Sequence, residues 1–243
     1  MTSTSPPPVL TVLGAGSGLG MSVAHRFGAH GYAVALISRS AARHVDYLRS
    51  LADAGVDAAA FTADAADSQA LRAAVDATHA RFGRIDVGYY GPASADALFG
   101  DITTLDAAGA EAALRGVVPA VDFASLLIPE LTERGSGGLL FAGGLSSVVP
   151  MPPLGGLALA SAALRNYAVT LHAALEPSGV YAGTITIGGL IARGDIHDAV
   201  VGNQEMPAGL AAATLDPDEL AEVVWQLYLD GTEPEAVVDA LTV

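Results

Sequence analysis

The sequence predicts a doubly wound α/β protein, one seven-stranded parallel sheet covered by helices, in a single domain over residues 9–243. Three observations predict it. Short apolar runs alternate with helix-like segments from residue 9 to the end of the 243-residue chain. The runs are apolar on both faces, as a parallel sheet buried under helices requires. A glycine-rich turn joins the first run to the first helix, the place where such sheets bind ligands.

The strand candidates are 9–14, 32–38, 56–63, 85–91, 138–143, 180–187 and 235–241, each bounded by turn residues. Helix candidates begin near Gly18, Ala41, Ser68, Asp106, Gly155 and Asp216. Two connections, Pro92 to Leu105 and Leu190 to Leu215, are long enough to be functional. Residues 1–8 read as a disordered leader, with neither a basic start nor an apolar core to direct export.

Composition removes several function classes. There is no cysteine, which excludes disulfides and thiolate chemistry and is compatible with a cytoplasmic location. The formal charge of −15 opposes nucleic-acid binding. No apolar run reaches the roughly 18–20 residues of a membrane span. All 11 basic residues are arginines and asparagine occurs only at Asn166 and Asn203, so a lysine-dependent mechanism is closed to this chain. No histidine cluster suggests a metal; His197, beside Asp195 and Asp198, reads as part of a solvated loop.

The first turn, Gly14-AGSGLG-Gly20, departs from G-x-G-x-x-G, because Leu19 stands in place of the third glycine. It fits G-x-x-x-G-x-G through Gly14, Gly18 and Gly20. Gly16, Ser17 and their neighbours then present backbone N–H groups and a helix N-terminus to a pyrophosphate, which makes this a Rossmann-type dinucleotide site. Ser38-Arg39-Ser40 ends the second strand where an acidic residue would hold a free ribose hydroxyl, and an arginine there favours NADP(H) over NAD. Asp64, ending the third strand, reads either as an adenine contact or as an exposed turn residue.

These residues, with the Ile85-Asp86-Val87 strand, the Ser161-Ala-Ala-Leu164 helix and Val180-YAGTITIG-Gly188, resemble the short-chain dehydrogenase/reductase family over essentially residues 9–243. The resemblance implies NAD(P) binding, with Gly91 and Gly188 joining the cofactor contacts. It also implies a homodimer or homotetramer built on two long helices, here near 106–134 and 155–175, and a small-molecule substrate.

The resemblance also implies a Tyr-x-x-x-Lys proton relay with a serine and an asparagine, and none of these is in place. Leu157 stands at the tyrosine position, Ser161 at the lysine, Gly144 at the serine and Ala113 at the asparagine. The polar candidates remaining near a nicotinamide are Tyr89 and Tyr90, adjacent at a strand end and so pointing to opposite faces, and Ser146 and Ser147. Three readings follow. An NADPH-dependent oxidoreductase would act on a small apolar substrate with an acceptor that needs no protein acid, such as an iminium or a quinone-like group, or would use a relocated donor. A non-redox enzyme, a cyclase, isomerase or lyase, would use the apolar wall. A regulatory protein would hold NADP without turnover.

Overall fold

The structure, a computed structural model, describes residues 6–92, 100–201 and 213–241. Seven strands form one parallel sheet: β1 Val9–Leu13, β2 Ala33–Ser38, β3 Ala58–Thr62, β4 Val87–Tyr90, β5 Gly138–Gly144, β6 Tyr181–Gly188 and β9 Glu235–Asp239, in the order β3-β2-β1-β4-β5-β6-β9. All seven expected runs are therefore strands. The chain reverses its winding between β1 and β4, whose register pairs Leu13 with Tyr90. The crevice beyond those two carboxyl ends is where an open sheet of this kind takes a ligand.

Helices cover both faces. α1 Leu19–Ala29, α2 His44–Asp53 and the last helix, α8 Pro217–Asp230, accompany one core, in which Phe27 and Trp225 meet edge to face at 4.9 Å. α3 Ser68–Phe82, α5 Val118–Arg134 and α6 Gly155–Leu175 cover the other, with Phe123, Leu127 and Leu131 fully buried. Each such side chain contributes about 1.5–3 kcal/mol by leaving water.

The helix expected from Asp106 to Arg134 is two helices. α4 Ala107–Arg115 ends at Gly116, and α5 restarts with Pro119 in its first turn, where a missing N–H costs nothing. By length and composition alone Ala107–Arg134 is long and apolar enough to cross a membrane, but it is broken into two helices at Gly116. Its second half is nevertheless a core helix of the sheet.

The long segment after β6 carries structure that its sequence did not announce. β7 Leu190–Ile191 pairs in parallel with β8 Thr214–Leu215, and α7 Asp195–Val201 lies between them. Residues 1–5 of the expected leader lie outside the described residues, and Pro6 to Pro8 have no regular structure. Much of the Pro92 to Leu105 connection also lies outside; its last part holds a 3₁₀ turn at Ile102–Thr104.

Candidate nucleotide site and substrate wall

The glycine-rich turn is built by close approach. Gly14 has φ +89°, and a Cβ there would lie 2.5 Å from the Pro92 nitrogen and 2.7 Å from the Gly91 carbonyl carbon, so no side chain fits. Its N–H donates to the Ile37 carbonyl at 2.9 Å, tying the turn to β2. A Cβ on Gly20 would meet the Gly14 carbonyl at 2.9 Å, which holds the start of α1 against the strand end. Gly16 is different: nothing lies within 4 Å of its Cβ position. Among the described residues no group accepts a hydrogen bond from the N–H of Gly16, Ser17 or Gly18, and α1 has no side-chain cap. A row of unpaired donors at a helix N-terminus, with open space above one of them, fits a phosphate. Leu19, the first residue of α1, is buried in the core rather than offered to the cleft.

The end of β2 supports the same ligand. Ser38 Oγ donates to the Ser40 carbonyl at 3.0 Å and meets His44 Nε2 at 2.7 Å, which joins the strand end to the first turn of α2. Burial lowers the His44 pKa, so the ring is neutral at pH 7. Arg39 is exposed and has no partner among the described residues. Asp64 accepts from the Ala66 N–H at 3.0 Å and is exposed, the geometry of a turn residue.

Gly91 closes the floor. The Tyr89 ring lies against it, since a Cβ on Gly91 would come 2.6 Å from Tyr89 Cε1. Gly188 is required by packing: a Cβ would meet both Asp239 Oδ1 and Leu145 Cδ2 at 2.5 Å. The two tyrosines do face opposite sides of the sheet, Tyr89 in the α1/α8 core and Tyr90 in the α5/α6 core. Both are buried. Burial pushes the Tyr90 hydroxyl up to about 12 and raises that of Tyr89 further, so both keep their protons at any working pH.

An apolar wall is assembled at the start of α6. Leu157 is half-buried, and Gly156 and Ala113 approach closely enough that a Cβ on the glycine would touch the Ala113 methyl at 3.7 Å. This surface is apolar. Beside it, after β5, the Cβ position of Gly144 is 3.3 Å from Ser161 Oγ and 3.7 Å from Ser146 Oγ. Ser161 is 5% exposed and Ser146 9%. The hydroxyls of Ser146 and Ser147 are buried and unpartnered. An unmade hydrogen bond in a buried place is costly, and such groups ask for a ligand or a water.

A set of contacts on the other rim is not legible in the sequence. Arg193 is, among the described residues, the one non-glycine with positive φ, at +66°. Its carbonyl accepts from Ser17 Oγ at 2.5 Å, and its Nη2 lies 2.8 Å from Asp218 and 3.3 Å from Asp216. Asp195 pairs with Arg43 at 2.7 Å. The available signal was Arg193-Gly194-Asp195, a charged pair in a segment otherwise rich in Gly, Ala and Pro. Among the described residues no three His, Asp or Glu side chains gather as a metal site.

Residues 8–194 match the short chain dehydrogenase family. A peroxisomal 2,4-dienoyl-CoA reductase of Arabidopsis thaliana is 30% identical over 79 residues, 32% of this chain and 26% of that protein. The chain thus matches about a quarter of that relative's length. Two solved structures share the fold over nearly the whole chain. L-sorbose reductase from Gluconobacter frateurii, complexed with NADPH and L-sorbose, superposes with a TM-score of 0.77 at 21% identity, covering 99% of this chain and 98% of that one. A short chain oxidoreductase from Pseudomonas aeruginosa PAO1 containing an atypical catalytic center gives 0.82 at 18%, with 97% of each chain covered.

Proposed function

Because the chain belongs to the short chain dehydrogenase family, we propose that it is an NADP(H)-dependent oxidoreductase that works without the family's usual tyrosine–lysine relay. The observation that carries this reading is the pairing of an unpaired N–H row at Gly16, Ser17 and Gly18 with an unpartnered Arg39 at the neighbouring strand end. The N–H row holds the pyrophosphate, and the guanidinium holds the ribose 2′-phosphate. Structures of fold neighbours with NADPH and NADP support the same cofactor. When bound, NADPH supplies hydride.

The chain's own residues position the acceptor. Leu157, Gly156 and Ala113 present an apolar wall, which suits a small apolar substrate and excludes water from its far side. Ser146, with Ser161 across Gly144, offers a hydroxyl to the substrate's polar atom. Neither serine has a lysine to tune it, and the chain contains none. A positioned acid or base contributes about 10²- to 10⁴-fold, so ordinary ketones are poor substrates, and iminium or quinone-like acceptors, which need no protein acid, are favoured.

A second reading is favoured by the same four replacements, Ala113, Gly144, Leu157 and Ser161: a protein that holds NADP and turns nothing over. A thermal-shift and fluorescence titration with NADPH and NADH tests the cofactor, and a panel of ketones, imines and quinones tests turnover. NADPH consumption with an imine or quinone supports the oxidoreductase. Binding without consumption by any of the three classes selects the silent protein. Absence of binding sinks both.

The protein is further proposed to be a homodimer or homotetramer of the cytoplasm. In the single chain α6 buries only Gly155, Ser161, Ala168 and Leu175, one narrow stripe with about two turns between successive members, and most of its other apolar residues are only half covered. α4 and α5 leave Leu114, Val118 and Val121 exposed on one side. Two such faces on neighbouring helices suit a second copy of the chain.

A further inference from the structure

The turn from Ala192 to Asp195, between β7 and α7, lies against the glycine-rich turn. A Cβ on Gly18 would be 3.3 Å from the Ala192 carbonyl oxygen and 3.3 Å from Gly194 Cα. Ser17 Oγ donates to the Arg193 carbonyl at 2.5 Å. The Arg193 guanidinium, anchored on Asp218 at the start of α8, helps keep its backbone at a positive φ that an arginine adopts only when held. A few residues on, the Asp195 carboxylate takes Arg43 Nη2 at 2.7 Å. Arg43 is the N-cap of α2, the helix that follows Ser38-Arg39-Ser40 and is tied back to Ser38 through His44. The strap therefore touches the glycine-rich turn with its backbone and Arg43, beyond β2, with its one carboxylate.

We propose that Ala192–Asp195 is a strap over the cofactor cleft and that Asp195 sets the preference for a ribose 2′-phosphate by occupying Arg43 until that phosphate replaces it. The inference rests on the NADP(H) reading above. A phosphate monoester carries about −1.5 to −2 charges at pH 7 and three acceptor oxygens against the single charge of a carboxylate. The guanidinium fork matches its geometry. The ion pair to be exchanged is exposed, 52% at Arg43 and 67% at Asp195, so it is weak and its opening is not a barrier. A ligand without the 2′-phosphate offers Arg43 nothing and leaves the pair intact. Arg43 thereby becomes a second phosphate contact beside Arg39, and Asp195 its built-in competitor.

The test is calorimetric titration of the full chain with 2′,5′-ADP and with 5′-AMP, on the wild type, Asp195→Asn, Arg43→Gln and the double variant. Asp195→Asn is expected to tighten 2′,5′-ADP by about 3- to 5-fold while moving 5′-AMP by less than about 2-fold. Arg43→Gln is expected to weaken 2′,5′-ADP by about 5-fold or more, and in that background Asp195→Asn is expected to do nothing. An equal gain from Asp195→Asn with and without Arg43 would mean plain repulsion between carboxylate and phosphate, and would overturn the exchange. An unchanged affinity in Asp195→Asn overturns it as well. If NADPH binds the wild type but is indifferent to both positions, the strap inference fails alone; if neither 2′,5′-ADP nor NADPH binds any form, the cofactor reading fails with it.

Discussion

Arg165 and Glu235 are paired by two hydrogen bonds from one edge of the guanidinium, Nε to Oε1 at 2.7 Å and Nη2 to Oε2, across the boundary between α6 and the edge strand β9. Thr186 Oγ1 donates to the same carboxylate at 2.6 Å, so a single acid joins the helix, β6 and the last strand. Glu235 is only 14% exposed on its side chain. Breaking the pair by Arg165→Ala is expected to cost about 1–3 kcal/mol in urea denaturation, and Glu235→Gln less, because the amide still meets Thr186. The Arg165 guanidinium holds the Glu235 carboxyl below the usual carboxylate range. The stability it adds is thus present above the unfolded value of about 4.3 and is lost as pH falls through the lower folded value. A pH series between about 3 and 6 should show the Glu235→Gln variant losing less stability on acidification than the wild type.

Gly14 and Gly16 sit two residues apart and should respond in opposite ways to alanine. At Gly14 the added methyl collides with backbone at 2.5 Å and φ is positive, so Gly14→Ala is expected to cost several kcal/mol, on the order of 2–4. At Gly16 the methyl meets nothing within 4 Å. There the substitution is expected to leave the fold intact or raise its stability by about 0.4–1 kcal/mol, while weakening NADPH by about 10-fold or more because the methyl takes the phosphate's space. Thermal melts paired with fluorescence titration measure both. Equal NADPH affinity in Gly16→Ala and wild type would remove the phosphate from this turn.

The sheet was legible because buried parallel strands need continuous apolar runs, and Val9–Leu13 and Ala33–Ile37 are such runs, too short for helices and bounded by turn residues. The glycine turn was legible for the same reason: close approach leaves glycine as the residue at Gly14 and Gly20, and sequence records it directly. Contacts set by tertiary placement were not legible. Nothing local says that Arg193 reaches α8 or that Asp195 meets Arg43, 152 positions away. The break between α4 and α5 was hidden by an apolar pattern that runs unbroken past Gly116 and Pro119, although both residues carry the signal in hindsight. Tyr89 and Tyr90 were correctly assigned to opposite faces by strand alternation, yet their burial depends on the helices laid over each face.

The exposed apolar face of α4 and α5 makes a prediction about assembly. Leu114, Val118 and Val121 are 49%, 57% and 40% exposed, and Val118 and Val121 lie one turn apart on α5. If they meet a second copy, Val118→Glu with Val121→Glu places charges in an apolar interface, each costing at least about 1–3 kcal/mol. Light scattering after gel filtration should show a dimer or tetramer for the wild type and a monomer for the double variant. The far-ultraviolet dichroism should be unchanged, since neither side chain belongs to the core. A monomeric wild type, or a double variant that assembles normally, would exclude this face.

Ser146 and Tyr90 separate a working hydroxyl from a structural one. Ser146 Oγ is buried and unpartnered, so Ser146→Ala removes an unsatisfied group and is expected to leave stability unchanged or slightly raised. If that hydroxyl holds the substrate's polar atom, the same change lowers turnover by about 10- to 100-fold with NADPH affinity untouched. Tyr90, by contrast, packs at 6.2 Å from Phe141 within the α5/α6 core, with its hydroxyl pushed up to about 12 by burial. Its raised value means that the stability it contributes is complete below the unfolded value of about 10 and is lost as pH rises through the folded one. Tyr90→Phe should therefore flatten the alkaline fall of stability above about pH 10 and leave the pH profile of turnover near neutrality unmoved. A turnover loss in Tyr90→Phe as large as in Ser146→Ala, at equal NADPH affinity, would transfer the holding of the substrate's polar atom from the serine to the tyrosine.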